Sequence, residues 1–294
     1  MATIAAAPLP IAKDRSEWQR SVRTLTRNRL VIAGLVMCVL VVLVAIFAPL
    51  LAPYNPIANN VRAALQRPSS LYYFGTDRFG RDVFSRVIYA SRTSLLVALV
   101  STSLAAIVGV ALGLVSGYFG GLVDTLAGRL MDILFSFPAL LLAIAIAAML
   151  GPSVKNAVIA LAVVYVPLFG RIIRGSTLAE RDKEYVEAAR VLGASTPRII
   201  FRHVFPSILS PLIVQGTITF SNAILIEASL SFLGLGTQPP NPSWGTMLAE
   251  GRSFLETAPW MSIFPGIAIM LAVFSFNILG DGIRDVLDPR ARAE

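Results

Sequence analysis

The chain has 294 residues, 55% of them hydrophobic and only 14% charged, with a formal net charge of +8 and a mean hydropathy of +0.72. Soluble domains carry about 25% charged residues, so this composition excludes an ordinary soluble domain and reads as an integral membrane protein. The basic residues sit beside apolar segments, as topology determinants do, and do not form a nucleic-acid patch.

Residues 1–29 are polar and basic, with Lys13, Arg15, Arg20, Arg23, Arg27 and Arg29. The apolar run from Leu30 to Leu51 has no small-residue cleavage site and is longer than a signal-peptide core, so it predicts an uncleaved first span. The single cysteine, Cys38, lies within it as a lipid-facing or packing residue, which excludes a disulfide framework. Residues 52–93 read as an extramembrane loop. Val83, Val87, Ile88 and Ser91 line one side of a short interfacial helix, and Asp77, Asp82, Arg78 and Arg81 form a local ion-pair cluster. Two carboxylates alone make a poor cation cage, so no metal site is expected there.

A second span is expected from Ser94 to Gly117. Ser101, Ala105, Gly109, Gly113 and Gly117 stand four apart, a ridge of small residues that lets another backbone approach closely. That helix is buried in a bundle or at a subunit interface. A short loop leads to a third span at 133–150, with Pro138 near its start. The fourth covers 156–173 and contains Pro167, followed by Arg171 and Arg174. The fifth covers 208–233 and the sixth 260–279, separated by a Pro- and Gly-rich segment at 234–258.

Between the fourth and fifth spans lies the densest charged stretch, Lys183 to Pro206. Tyr185, Ala188, Ala189 and Leu192 recur at helical spacing and predict one face of a first short helix. Gly193 ends it, because glycine takes a positive φ at no steric cost. Ser195 or Thr196 caps a second helix, Pro197 opens it and Pro206 closes it. Such a unit is either a solvated loop anchored by arginines or a rigid body with a task.

Six spans place both termini on one side. With the N-terminus inside, the inner segments carry 17 basic residues and the outer ones 8, which predicts a cytoplasmic N-terminus and puts residues 183–206 in the cytoplasm. None of the three lysines follows a glycine, so the chain has no P-loop, and it has no GxSxG elbow either. An enzyme is not expected. Glu227 is the one acid well inside an expected span. It reads either as a cavity-lining carboxylate for a cationic substrate group, such as a peptide amino terminus, or as a structural partner of another helix. His203 alone excludes any multi-histidine metal centre and reads as a hydrogen-bonding surface residue.

Glu187-Ala188-Ala189, with Gly193 four positions on, resembles the EAA loop of ABC importer permeases. The family's usual Ile-x-Leu-Pro ending is here His203-Val204-Phe205-Pro206. FGTDRFGRD at 74–82, SFLGLGTQPPNPSWGTML at 231–248 and FNILGDGIRDVLDP at 276–289 look like the C-type permease of dipeptide, oligopeptide, nickel and glutathione importers. The resemblance runs from about residue 20 to about residue 290.

The resemblance implies an all-α membrane protein of six transmembrane helices, with the type I ABC importer permease fold and cytoplasmic coupling helices at 181–206. It implies a heterodimer with a B-type permease, two ABC ATPase subunits that bind ATP in place of any cofactor here, and a periplasmic or lipid-anchored solute-binding protein. The site is the bacterial inner membrane, and nucleic acid has no part in it. Glu187, Ala188, Ala189, Arg190, Gly193 and Arg198 are then the expected ATPase-coupling residues. Segments 52–93 and 234–258 are the expected contacts for the binding protein. Di- or oligopeptides are the expected cargo, with a nickel chelate, glutathione or an opine as alternatives. A gradient-driven carrier would show inverted repeats and several intramembrane ionisable residues, which this chain lacks. A membrane scaffold without transport would leave the EAA-like loop unexplained.

Overall fold

The computed structural model describes residues 29–287; the remainder of the basic N-terminal segment and the last residues of the tail lie outside them. The described residues are helices and loops, with one isolated bridge pairing Thr76 with Asp82. The first helix, α1 (Arg29–Ile46), buries Val31, Gly34, Cys38 and Ala45, a stripe at helical spacing. A methyl on Gly34 would lie 2.4 Å from the Ile278 side chain, so α1 packs tightly on the last helix. After a short α2 (Ala48–Leu51), a loop leads to α3 (Val83–Phe119).

Helix α3 is one unbroken rod of 37 residues, about 55 Å at 1.5 Å per residue. The interfacial helix expected at 83–95 is therefore not a separate element. Its apolar face was read correctly, since Val83, Ile88 and Ser91 are buried, but nothing between Leu95 and Phe119 breaks the helix. Asp82 caps its start, accepting from the Ser85 amide at 2.8 Å and the Ser85 hydroxyl at 2.6 Å.

The expected third span is also built differently. Residues that read as a loop form α4 (Gly121–Phe135), which meets α5 (Ala139–Leu150) at 90°. Pro138 explains the bend: it lacks an N–H and drives Phe137 out of the helical region. With 12 residues, α5 spans about 18 Å, short of the roughly 30 Å hydrocarbon core. Arg171 and Arg174 of the next helix, α6 (Val154–Arg181), hold α4 in place. Arg171 donates to Asp132 at 2.7 Å and lies 4.2 Å over the Phe135 ring; Arg174 donates to Asp124.

Beyond α6 come α7 (Glu184–Val191), α8 (Thr196–Ile199), a π-helical turn (Ile200–Val204) and α9 (Phe205–Phe232). A loop, α10 (Trp244–Gly251) and α11 (Trp260–Leu287) complete the described chain. Helices α1, α3, α6, α11 and the continuous run Thr196–Phe232 are each long and apolar enough to cross a bilayer, and the bent α4–α5 pair can supply a sixth crossing. The ridge of small residues on α3 faces α6. A methyl on Gly109 would lie 2.5 Å from Phe169 Cβ, one on Gly113 2.7 Å from the Gly170 carbonyl oxygen, and one on Gly117 2.8 Å from Thr177 Cβ. Of the two burial sites the ridge allowed, the structure shows the bundle within this chain.

Candidate functional site

The glycine-broken helix pair at 181–206 sits where α3 and α6 end. Arg181 donates to the carbonyls of Gly117 at 2.8 Å and Tyr118 at 3.3 Å, pinning the end of α6 to the end of α3. Helix α7 then closes as a Schellman motif: the Ala194 amide donates to the Ala189 carbonyl and the Gly193 amide to the Arg190 carbonyl, both at 3.0 Å. Gly193 has φ +81°, the left-handed conformation its position calls for.

The inward face of α7 is not the one its apolar spacing suggests. Val186 and Ala189 are buried, and Val186 packs with Ile199, Val204 and Ile208 against Leu114 and Ile173 of the spans. Ala188 and Leu192 point the other way, and Tyr185 is partly exposed with its hydroxyl turned back to Glu180. An eight-residue helix has two turns, so its buried stripe can be only two residues wide, and the remaining apolar residues face out. Leu192 is 86% exposed, Val191 82% and Phe201 69%, beside exposed Glu187, Arg190 and Arg198. Those three, with Ala188, Ala189 and Gly193, lie on this helix pair, a ledge at the end of the bundle, and five of the six are exposed. Exposed apolar side chains of this size are the kind of surface that a protein partner or a membrane covers.

The second half of the loop also departs from expectation. Ser195 holds the cap position without a side-chain bond, Thr196 opens α8 and Pro197 follows it. Pro206 does not close the unit; it sits at the start of α9, and the chain runs from Thr196 to Phe232 as one helical body. Pro206 has no N–H to give the Arg202 carbonyl, and the Phe205 amide reaches back five residues to Ile200. The result is the π turn, a wider turn that recurs at functional positions. His203 contributes its backbone carbonyl here, which faces the Tyr185 and Ser207 hydroxyls.

At the opposite end of the bundle a set of charged side chains is largely buried and paired, while Asp82 Oδ1 and Thr237 Oγ1 are buried without a partner among the described residues. Arg81 meets Asp77 at 2.6 Å and Glu250 at 2.8 Å; Arg86 meets Glu250 at 3.1 Å, and donates to the Pro56 carbonyl at 3.2 Å. Arg78, expected in this cluster, is exposed and lies over the Phe79 ring instead. Asp82 is taken up by its helix cap. Arg86 and Glu250 complete the cluster, and sequence reading missed both. Glu250 lies 169 positions from Arg81, and no local spacing reports such a pairing. Trp260 donates from Nε1 to the Thr76 carbonyl at 3.0 Å and Trp244 to that of Val87 at 3.1 Å, tying α11 to the loop and α10 to the start of α3. Segments 52–93 and 234–258 thus come together around a cavity of about 840 Å3, whose wall includes Tyr54, Asn55, Tyr89, Arg92, Gln238 and Asn241. Trp244, within the second of these segments, is buried.

Glu227 lies in α9, 1% exposed. It accepts from the Ser231 hydroxyl at 2.7 Å, and Ser231 accepts from the Thr237 amide at 3.1 Å. It is not on the wall of that cavity. Its carboxylate is held by Ser231 of its own helix, which links it to the following loop.

A helical membrane bundle, a glycine-broken helix pair standing out at one end and a closed cap at the other define an importer permease. The fold agrees. The permease in the inward-facing MetNI methionine ABC transporter superposes with a TM-score of 0.56 at 18% identity, covering 70% of this chain and 97% of that one. Residues 109–293 match the family described as binding-protein-dependent transport system inner membrane component. Residues 16–68 match the N-terminal transmembrane domain of oligopeptide transport permease C. The dipeptide transport system permease protein DppC of Alkalihalophilus pseudofirmus is 48% identical, across 95% of this chain and 91% of its own length. DppC of Escherichia coli K12 is 47% identical across 98% and 97%. The di/tripeptide permease DppC of Pseudomonas aeruginosa is 44% identical across 94% and 91%. The chain belongs to the binding-protein-dependent transport system inner membrane component family: it is a multi-pass inner-membrane permease of an ABC importer, a transport protein and not an enzyme. That membership implies an ATPase and a solute-binding protein as partners.

Proposed function

We propose that this chain forms one half of the translocation path of an ATP-driven importer for di- or oligopeptides. The other half is a B-type permease. The observation that carries this reading is the ledge around Gly193, where Ala188, Val191, Leu192 and Phe201 stand uncovered on a helix pair rooted in two spans. The chain has no P-loop, so the energy for uptake comes from another subunit. An ATPase groove that closes on ATP is the partner such a ledge fits, with Glu187, Arg190 and Arg198 at its rim. Two ATPases, one per permease, would pull the bundles between inward- and outward-open states.

The same reading puts the ledge and both termini in the cytoplasm and the 840 Å3 cavity outside, under the solute-binding protein. Peptide cargo is supported by the names of the relatives, three of which are dipeptide or di/tripeptide permeases aligned over nearly the whole chain. Uptake of labelled dipeptide by the complete complex in proteoliposomes tests it, run beside a nickel chelate and glutathione. ATP-dependent accumulation of peptide is expected. Accumulation of a chelate or glutathione, with none of peptide, would overturn the cargo assignment.

A further inference from the structure

One hydroxyl joins the coupling ledge to both of the spans that carry it. Tyr185, near the start of α7, meets the Glu180 carboxylate at the end of α6. Its oxygen also lies 3.3 Å from the His203 carbonyl in the π turn and 3.5 Å from the Ser207 hydroxyl in α9. Ser207 in turn donates to the His203 carbonyl at 3.4 Å. Glu180 is buried and holds Lys183 at 2.7 Å, so its charge is compensated and its position fixed. Tyr185 has a single proton to give, and the carboxylate is the strongest acceptor in reach. Its lone pairs accept from Ser207 when that hydroxyl, which has one proton, turns from the His203 carbonyl to Tyr185. Burial, and then the Glu180 hydrogen bond, push this hydroxyl above its ordinary pKa, so it stays protonated at working pH.

The placement falls where the helix is weakest. Pro206 withholds the amide that an α-helix would supply to the Arg202 carbonyl, and the ladder is stretched to five residues at that point. His203 precedes Pro206 and Ser207 follows it, so the polar cluster straddles the gap. Among the described residues the other contact between α7 and α8 with α9 is apolar packing, through Val186 against Ile199, Val204 and Ile208. Such contacts resist separation but not sliding.

We propose that the Tyr185 hydroxyl is a positioning clamp that locks the coupling helices to α6 and α9 across the π turn, so that a push on the ledge moves the spans instead of flexing the turn. The clamp rests on the coupling role proposed above for the ledge. Tyr185→Phe tests it, because the ring and its packing remain while the hydroxyl is removed. The complete complex, with ATPases and binding protein, is compared with wild type for peptide taken up per ATP hydrolysed. The variant is expected to lose roughly fivefold in that ratio, the population change one net hydrogen bond supports, while its ATPases stay bound and active. Glu180→Gln, which keeps an acceptor, is expected to couple better than Glu180→Ala. An unchanged ratio, or a loss of uptake matched by loss of ATPase binding, overturns the clamp. Amide exchange in the intact complex reads the clamp whether or not peptide is the cargo. Tyr185→Phe should speed exchange at 200–205 and leave the mid-span amides of α6 and α9 unaltered; unaltered exchange in the turn also overturns it. Failure of wild type to import any peptide would count against the cargo reading alone.

Discussion

At one end of this molecule Arg81 and Arg86 are buried with Asp77 and Glu250, and two tryptophan side chains donate to backbone carbonyls. At the other, Val191, Leu192 and Phe201 stand in the open. The first end pairs its buried arginines with carboxylates of its own chain. The second leaves apolar surface that water does not favour, and its completion must come from outside. The contrast separates stability from function. Substitutions in the cap should act on folding, and substitutions on the ledge should act on assembly.

The largest stability effect is expected in the cap. Arg86→Met leaves Glu250 without one of its cations in a largely buried site, and a broken buried pair costs about 3–5 kcal/mol. Thermal unfolding of the detergent-solubilised complex should drop sharply, or the chain should be degraded in cells. Wild-type stability for Arg86→Met would show that the network is idle and remove half of the contrast.

Next comes the glycine ridge. Gly113→Ala places a methyl 2.7 Å from a carbonyl oxygen of α6 and should cost about 1–3 kcal/mol. Gly128→Ala in α4 is the control: no atom lies within 4 Å of its new methyl, and alanine is the better helix former by about 1 kcal/mol. Opposite signs in the same unfolding assay are expected. Equal effects would mean that close backbone approach between α3 and α6 is unimportant.

These two regions differ also in how far sequence revealed them. The ridge was legible because four-residue spacing of small side chains is a local pattern with one physical use. The break at Gly193 was legible for the same reason, since a positive φ selects glycine within a few residues of context. The cap network was half legible: Asp77 and Arg81 are four apart, but Arg86 and Glu250 join through tertiary folding alone. The inward face of α7 was misread because spacing defines a stripe and not what covers it. Helix α4 was hidden because its glycines and aspartates read as loop, while the partners of Asp124 and Asp132 lie 50 and 39 residues away.

At the ledge, Gly193→Val imposes strain of about 1–3 kcal/mol at φ +81°, with no clash to add to it. The spans do not depend on that turn, so membrane insertion should survive while ATP-driven uptake falls. Normal uptake by Gly193→Val would count against a rigid coupling loop.

The smallest stability effect, and the sharpest test of the contrast, is expected from Leu192→Ser with Phe201→Ser. Both side chains are exposed, so their replacement should change the stability of the isolated permease by no more than about 0.5 kcal/mol. In the complex the same side chains would be covered, and burial of a leucine or phenylalanine contributes about 1.5–3 kcal/mol each. Two such losses at one interface amount to a drop in affinity of at least a hundredfold. Co-purification of the ATPases with the double variant, against wild type at matched membrane levels, measures it. Retention of the ATPases would mean that the apolar ledge faces lipid or solvent and that the energy enters this bundle elsewhere. Loss of the ATPases from a permease that unfolds at the wild-type temperature would separate assembly from folding by two substitutions on one face of one short loop.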